Sequence, residues 1–297
     1  NNNGYSTDAT VTITISEDTA TGPPTLPPTS GSTSPPTSAP TDCNPATGGC
    51  QGDPHFKTWR GKHFDFHGEC DLVLLHSSAF ESGLGLDVHI RTKIRRDMSY
   101  ISGAALRIGS DVLEVESQGI YYLNGVAGAA LPAEFSGFEF LHTQPTDKQH
   151  VFEVHLGGRE RIKLKTYKDF VSVLIEQGDS QHFGESVGLM GDFGHGNMIA
   201  RDGKTVFDDA NAFGQEWQVL DTEPSLFQTL RFPQHPEICT MPTPVQADHL
   251  RRRLAETSST DEAAAEKACE HWGEGKDDCV FDVLTTGDLE MAVVGAY

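Results

Sequence analysis

Between Cys70 and Gln177 the chain carries a succession of short segments in which apolar and polar residues alternate, and this pattern constrains its fold most strongly. Alternation with a period of two places every second side chain on the same face of a β-strand. Because no helical period occurs among the segments, they predict a mainly β protein built as an antiparallel β-sandwich. The predicted strands cover 70–77, 86–94, 104–109, 111–117, 138–143, 150–156, 161–167 and 170–177.

The residues before this region have a different composition. Residues 10–15 alternate β-branched residues and predict one strand, which we interpret as the last strand of a preceding β-sandwich over 1–16. Residues 17–48 consist largely of Thr, Ser and Pro, which cannot bury a core. This second stretch is therefore predicted to be a disordered linker and an O-glycosylated stalk.

After Cys239 the apolar period becomes helical. Residues 244–256 and 259–272 predict two helices, the first able to start at Pro244 and the second with Ser259 or Thr260 as its N-cap, and 286–296 predicts a short third helix. The chain is therefore predicted to consist of a preceding strand (1–16), a linker (17–48), a β domain (49–240) and a small helical module (241–297).

The charge of the chain excludes some classes of partner. Its 43 acidic and 22 basic side chains give a formal net charge of −21. A groove that follows a phosphate backbone needs a basic face, so the chain is not expected to bind nucleic acid. No apolar run approaches the roughly 20 residues of a membrane helix, so no membrane span is expected in this segment. Such a surface is typical of a secreted protein.

Two motifs of turnover enzymes are absent from the sequence. It contains no phosphate-binding G-x-x-x-x-G-K and no H-E-x-x-H metal motif. We therefore expect neither a turnover enzyme nor a cofactor. His55, His63 and His67 lie close in sequence, but on an extended chain His63 and His67 would be about 13 Å apart, too far to share one ion.

The six cysteines predict disulfides rather than a thiolate metal site, because none forms a C-x-x-C motif. Their pairing is open in principle. Sequence separation favours two short loops, Cys43–Cys50 and Cys269–Cys279, which leaves Cys70 with Cys239.

Three stretches, which occur in the same order along the chain as in the family, resemble the von Willebrand factor type D family of extracellular multidomain proteins. GDPHFKTWRGKHFDFHGECDLVLL (52–75) is similar to the opening of that domain, and VGLMGDFGHG (187–196) falls where the family has C-G-L-C-G-N-F-x-G. FGQEWQV (213–219) resembles the strand that closes the domain. The resemblance covers about residues 50 to 239.

The resemblance implies a non-enzymatic structural or adhesive module of a secreted or cell-surface matrix protein. Its partners would be other extracellular or matrix proteins, and glycans as a further class. It supports the Cys70–Cys239 pair directly. Val187 and Met190 replace two cysteines of the family, which removes the usual partner of Cys50 and makes Cys43 its natural replacement.

The family often binds calcium through positions that here hold Arg60, Asp192 and Gly194. A calcium-dependent binding module would have to use Asp192, Asn197, Asp202 and carbonyl groups, because calcium prefers six to eight oxygen ligands. We expect instead that Arg60 forms an ion pair with Asp192 and replaces the ion as a clamp between the two loops.

Some mucins with the motif G-D-P-H cleave themselves at its Asp-Pro bond in mild acid and leave an anhydride that can join amines. By that resemblance Asp53 is the candidate nucleophile, the bond to Pro54 is the one that breaks, and His55 positions the groups or donates a proton. The alternative is structural: Asp53 caps a turn that Pro54 makes rigid. Both alternatives stay open at the level of sequence.

Overall fold

The computed structural model describes residues 45–293. The predicted strand over 1–16 and most of the predicted linker lie outside these residues. The first strand, β1, spans Ala46–Gln51 and is hydrogen-bonded on both of its edges. The linker therefore ends earlier than the predicted boundary at residue 48, because the small residues of β1 fit between two neighbouring strands in a way that composition alone does not indicate.

Fourteen strands in the described residues form two antiparallel sheets, which confirms the mainly β fold. The larger sheet has the order β10-β11-β12-β13-β14-β1-β2-β3, and the smaller one the order β4-β5-β6-β7-β8-β9. The strands after β1 are β2 His55–Lys57, β3 His63–Asp65, β4 Asp71–Ser77, β5 Leu86–Arg95, β6 Met98–Ile108, β7 Asp111–Glu116, β8 Tyr121–Leu123, β9 Val126–Ala127, β10 Glu134–Phe135, β11 Phe138–Thr146, β12 Gln149–Gly157, β13 Glu160–Tyr167 and β14 Phe170–Gly178.

The two sheets enclose one main hydrophobic core. Alternate residues of the strands point into it, and burying each large aliphatic or aromatic side chain contributes about 1.5–3 kcal/mol. The smaller sheet contributes Leu72, Val88, Ile90 and Leu106, and the larger sheet contributes Phe152, Val154, Ile162, Leu164 and Val173. The alternation in sequence thus corresponds to the inward faces of a sandwich.

Asn124 and Gly125 form a two-residue hairpin turn between β8 and β9, with φ values of 49° and 80°. The expectation that 213–219 forms a strand is wrong for its first part. Residues Ala210–Glu216 form a helix because the Asp209 carboxylate accepts a hydrogen bond from the Ala212 amide and caps it. Only after this helix does the chain run along β4, where the Trp217 carbonyl accepts from the Val73 amide at 2.8 Å.

The helices lie mainly in the C-terminal part. In chain order they are α1 Phe80–Gly83, α2 Ser180–Phe183, α3 Ala210–Glu216, α4 Pro244–Ala255, α5 Ser259–Ala268 and α6 Lys276–Thr286, and short 3-10 turns span Ser117–Gly119, Glu270–Gly275 and Leu289–Val293. The predicted helix over 286–296 is wrong in its placement. Gly287 has a φ of +71° and ends α6, and the described residues after it form a 3-10 turn over Leu289–Val293.

A second hydrophobic core joins the helical tail (residues 244–293) to one end of the sandwich. Tyr100 of β6 and Phe170 of β14 pack there with Trp272 and Val283 of the tail. The tail and the sheets consequently share buried surface, and the described residues fall into one compact unit.

Two disulfides are present, Cys70–Cys239 and Cys269–Cys279, and both are pairs that the sequence predicted. The first joins the residue before β4 to the segment before the tail, and the second joins α5 to α6. Cys50 is buried and forms no disulfide with any cysteine in the described range. Cys43 lies outside that range, so the Cys43–Cys50 bond remains a prediction. No helix among residues 45–293 is long and apolar enough to cross a membrane.

Candidate functional site

Asp53 and Pro54 occupy the tight turn between β1 and β2. Gly52 begins the turn with a φ of +49°, a conformation that side chains other than glycine rarely adopt. The His55 amide donates a hydrogen bond back to the Asp53 carbonyl oxygen, so the carbonyl of the Asp-Pro bond is polarised by a backbone donor. The Pro54 carbonyl accepts from the Phe66 amide at 3.3 Å, which fixes the other side of the turn.

The Asp53 side chain is fully buried between two histidines. Its Oδ1 lies 3.1 Å from Nδ1 of His67, and its Oδ2 lies 3.8 Å from Nε2 of His55. Neither carboxylate oxygen has a hydrogen-bond partner of acceptable geometry among residues 45–293. A buried carboxylate in this condition is costly unless cationic groups compensate it.

The third side of this site comes from the helical tail. Asp282 of α6 places its Oδ1 at 3.4 Å from the Asp53 amide, which donates to it, and at 3.7 Å from Nε2 of His55. A Cβ atom on Gly52 would come within 2.5 Å of Oδ2 of Asp282. The glycine is therefore required both for the turn and for the close approach of α6.

The ring of His55 is oriented by a carboxylate on the neighbouring strand. Nδ1 of His55 lies 2.7 Å from Oδ1 of Asp65, which faces it across the β2–β3 pair. A carboxylate at this distance accepts the Nδ1 proton, which directs Nε2 towards Asp53 and Asp282. Asp278 of α6 lies 3.1 Å from Nδ1 of His63, so a second histidine–carboxylate contact joins the tail to β3.

Burial and charge shift the pKa values in this cluster. Desolvation raises the pKa of Asp282 to about 6, although the contact with His55 opposes this. Burial opposes protonation of His55, but the carboxylates of Asp282, Asp65 and Asp53 outweigh it and hold the pKa of His55 well above its usual value. For His67 the nearby Asp53 carboxylate likewise overcomes desolvation and raises the pKa.

One group of at least three acidic, histidine or cysteine side chains in the described part of the chain has the spacing of metal ligands. It consists of Asp53, His55 and Asp282, whose ligand atoms all lie within 4.8 Å of one another. His63 and His67 are not members of this group.

The predicted calcium residues lie in two separate turns. The Asp192 carboxylate accepts hydrogen bonds from the amides of His195 and Asn197, at 2.7 and 2.8 Å. The Asp202 carboxylate accepts from the amides of Lys204 and Thr205, both at 2.8 Å. Backbone donors thus already use oxygens that would have to bind calcium, and a calcium site at Asp192, Asn197 and Asp202 remains a prediction.

The expected ion pair between Arg60 and Asp192 is absent from the described contacts. Arg60 does reach this loop, but its Nε donates to the carbonyl oxygens of Phe193 and Gly194, at 3.0 and 3.1 Å. The hydrogen bonds that the Asp192 carboxylate accepts from backbone amides direct this carboxylate towards its own loop and away from Arg60. Arg60 therefore clamps the loop through backbone carbonyls rather than through a carboxylate.

Sequence reasoning found Asp53, Pro54 and His55 but missed Asp65, Asp278 and Asp282. The last two required the prediction of α6. Local features did point to this helix, namely acidic residues in its first turn, Asp277 and Asp278, and the glycine at its end. They did not indicate which side of the helix faces the turn before β2.

Comparison with known proteins gives one relative of low identity. No family model matches the chain. The chain is similar to mucin-5B of Gallus gallus, with 24% identity over 222 residues that cover 73% of this chain and 10% of the relative. The chain thus spans about a tenth of the length of the curated protein that it matches.

Proposed function

We propose that the chain is a structural module of a secreted or cell-surface matrix protein that mediates interaction or assembly with other extracellular proteins. The observation that carries this proposal is the similarity to mucin-5B, which extends over 222 residues and not over one motif alone. The two disulfides fit an oxidising compartment. Resemblance to the von Willebrand factor type D family supports the same function.

Assembly can be tested with the purified, oxidised chain. Sedimentation velocity measures self-association, and surface plasmon resonance measures binding to an immobilised secreted mucin. The proposal expects specific association in at least one assay, and its loss in the variant Cys70→Ala/Cys239→Ala, which lacks the disulfide between the sheet and the segment before the tail. A folded chain that stays monomeric at all concentrations and binds no mucin would contradict it.

A second candidate function is self-cleavage at Asp53-Pro54, and the geometry of the turn favours it. In this reaction an Asp53 carboxylate oxygen attacks the carbonyl carbon of its own residue. The bond to the Pro54 nitrogen breaks, and that nitrogen takes up a proton. The product is a cyclic anhydride at Asp53, which water hydrolyses or an amine opens to form an amide.

Three features of the site support this reaction. The His55 amide is hydrogen-bonded to the carbonyl oxygen that would carry the developing negative charge. The carboxylate is buried and carries no hydrogen bond from the described residues that would lower its nucleophilicity. His67 and His55 stand close enough to the carboxylate to serve as proton donors to the leaving nitrogen.

Incubation of the pure chain at about pH 5, followed by intact-mass measurement, tests this candidate. Cleavage yields a fragment that begins at Pro54, and Asp53→Ala abolishes it. Asp65→Asn is a matched control that keeps Asp53 but disturbs the orientation of His55, and it is expected to slow cleavage without abolishing it. An intact mass that does not change in the wild-type chain over days would exclude self-cleavage under these conditions.

A further inference from the structure

We propose that Asp53, His55 and Asp282 form a binding site for a borderline divalent transition-metal ion such as Zn²⁺, which ties the helical tail to the turn between β1 and β2. Two ligands come from the turn and its following strand, and the third comes from α6. The site is a separate property from the assembly function and from self-cleavage.

The spacing of the three ligand atoms fits such an ion. Nε2 of His55 lies 3.8 Å from Oδ2 of Asp53 and 3.7 Å from Oδ1 of Asp282. Bonds of about 2.0–2.2 Å to zinc place the ligands of a tetrahedron roughly 3.4 Å apart. The observed separations are too long for hydrogen bonds but need only small side-chain rotations to enclose an ion.

Two of the three ligand atoms lack a hydrogen-bond partner, which is the second observation. Both oxygens of Asp53 and Nε2 of His55 are buried without a hydrogen-bond partner in the part of the chain that the structure describes. The side chains of Asp53, His55 and Asp282 are 0%, 5% and 4% exposed. Carboxylates buried to this extent need a compensating positive charge, and a divalent cation supplies it for two of them at once.

The orientation of His55 is a third and independent observation. Histidines that bind metals usually donate their other ring N–H to a carboxylate, which fixes the tautomer and raises the basicity of the ligating nitrogen. Asp65 is placed to accept this hydrogen bond, because its Oδ1 lies 2.7 Å from Nδ1 of His55. His55 therefore directs Nε2 to the space between Asp53 and Asp282, where a metal ion that displaces the proton of Nε2 would take its lone pair.

The donor set selects among metal ions. One imidazole nitrogen and two carboxylate oxygens, with a position left open for water, match zinc and similar ions. Calcium and magnesium prefer oxygen ligands in larger numbers or octahedral geometry. A coordinated Asp53 is also a weaker nucleophile, so bound metal would slow cleavage of the Asp53-Pro54 bond. This consequence rests on the self-cleavage proposed above. The proposal that the site binds metal does not depend on self-cleavage.

Direct binding measurements on the full, untagged chain test the site. The chain is freed of metal with EDTA, dialysed and titrated with Zn²⁺ by isothermal calorimetry, and its zinc content after gel filtration is measured by mass spectrometry. We expect one tight site per chain. Asp282→Asn keeps an oxygen acceptor for the Asp53 amide but should weaken binding more than about 100-fold, beyond the usual effect of a second-shell change.

Two matched variants control for surface binding. Asp202→Asn removes a carboxylate of the predicted calcium loop, and His142→Gln removes one ring of the exposed His142–His150 pair. Both should keep the tight site. At Zn²⁺ about 100 times the Kd, the melting temperature of the wild-type chain should rise by about 5 to 10 °C, and calcium and magnesium should not reproduce this rise.

Co²⁺ provides a readout that does not depend on the folding of a variant. In the wild-type chain it should give the intense visible d–d absorption of a tetrahedral site with nitrogen and oxygen ligands, and Zn²⁺ should displace it. Equal zinc affinity in wild type and Asp282→Asn, loss of binding in His142→Gln alone, or an octahedral Co²⁺ spectrum would each overturn the proposal. In those cases protonated histidines, not a metal, compensate the buried carboxylates.

Discussion

The two disulfides close loops of very different length, and this difference predicts unequal contributions to stability. Cys70 and Cys239 are separated by 169 positions, and Cys269 and Cys279 by 10. A disulfide restricts the unfolded chain more when its loop is longer, and the chain-entropy relation gives about 5.2 kcal/mol for the first loop and about 2.7 kcal/mol for the second. Removing the long-range bond should therefore lower the free energy of unfolding by about 2.5 kcal/mol more.

The comparison is made between Cys70→Ala/Cys239→Ala and Cys269→Ala/Cys279→Ala. All four cysteine residues are almost fully buried, between 0% and 2% exposed, so the loss of packing is similar in both variants. The difference in the free energy of unfolding between the two variants therefore reports the difference in loop entropy. Cys50 is unchanged in both variants and contributes equally to them.

Guanidinium denaturation with tryptophan fluorescence measures the effect and separates the two regions. Trp59 and Trp217 lie in the core between the sheets, whereas Trp272 lies in the core of the tail. The long-range variant should unfold at lower denaturant by all three probes, and the short-range variant should shift the signal of Trp272 most. An equal or larger loss of stability in the short-range variant would refute the argument from loop entropy.

Two further predictions concern single residues. Gly52→Ala should destabilise the chain by at least about 1 kcal/mol more than Gly128→Ala in urea denaturation, because both glycines have similar positive φ values but only the new Cβ at residue 52 meets Asp282. Equal losses would show that the Asp282 carboxylate moves out of the way of the new Cβ at little cost. Desolvation lowers the pKa of the buried His89 from 6.5 to about 4, so below pH 6.5 the unfolded chain binds a proton that the folded chain does not. Stability should therefore fall by about 3 kcal/mol between pH 6.5 and 4, and His89→Gln should remove that part of the pH dependence; parallel stability curves for the two proteins would contradict this.

Part of the candidate site could be predicted because its residues are neighbours in sequence. Asp53, Pro54 and His55 stand out as a motif, and the strands on either side of them follow from local alternation. The hydrogen bond from Asp53 to Asp282 joins residues 229 positions apart, and no local pattern encodes it. Likewise, the sequence predicts an ion pair between Arg60 and Asp192, but Arg60 contacts the carbonyl oxygens of Phe193 and Gly194, because the backbone conformation of that loop presents them.

By itself, the sequence determined the antiparallel sandwich and the helical character of the segment after Cys239, because each depends on periodicity or composition. The spacing of the cysteines favoured the two observed disulfides, and the family resemblance supported Cys70–Cys239. Only the tertiary structure decided that the tail packs against the sheets and that α6 presents Asp282 to the turn at Gly52 and Asp53. The physical reason is that strand patterns are local, with a repeat of two residues, whereas a buried charge cluster depends on where elements distant in sequence meet. In the sequence, the turn before β2 is notable only for its Asp53-Pro54 bond. In the tertiary structure, the same turn and α6 together form a buried cluster of carboxylates and histidines.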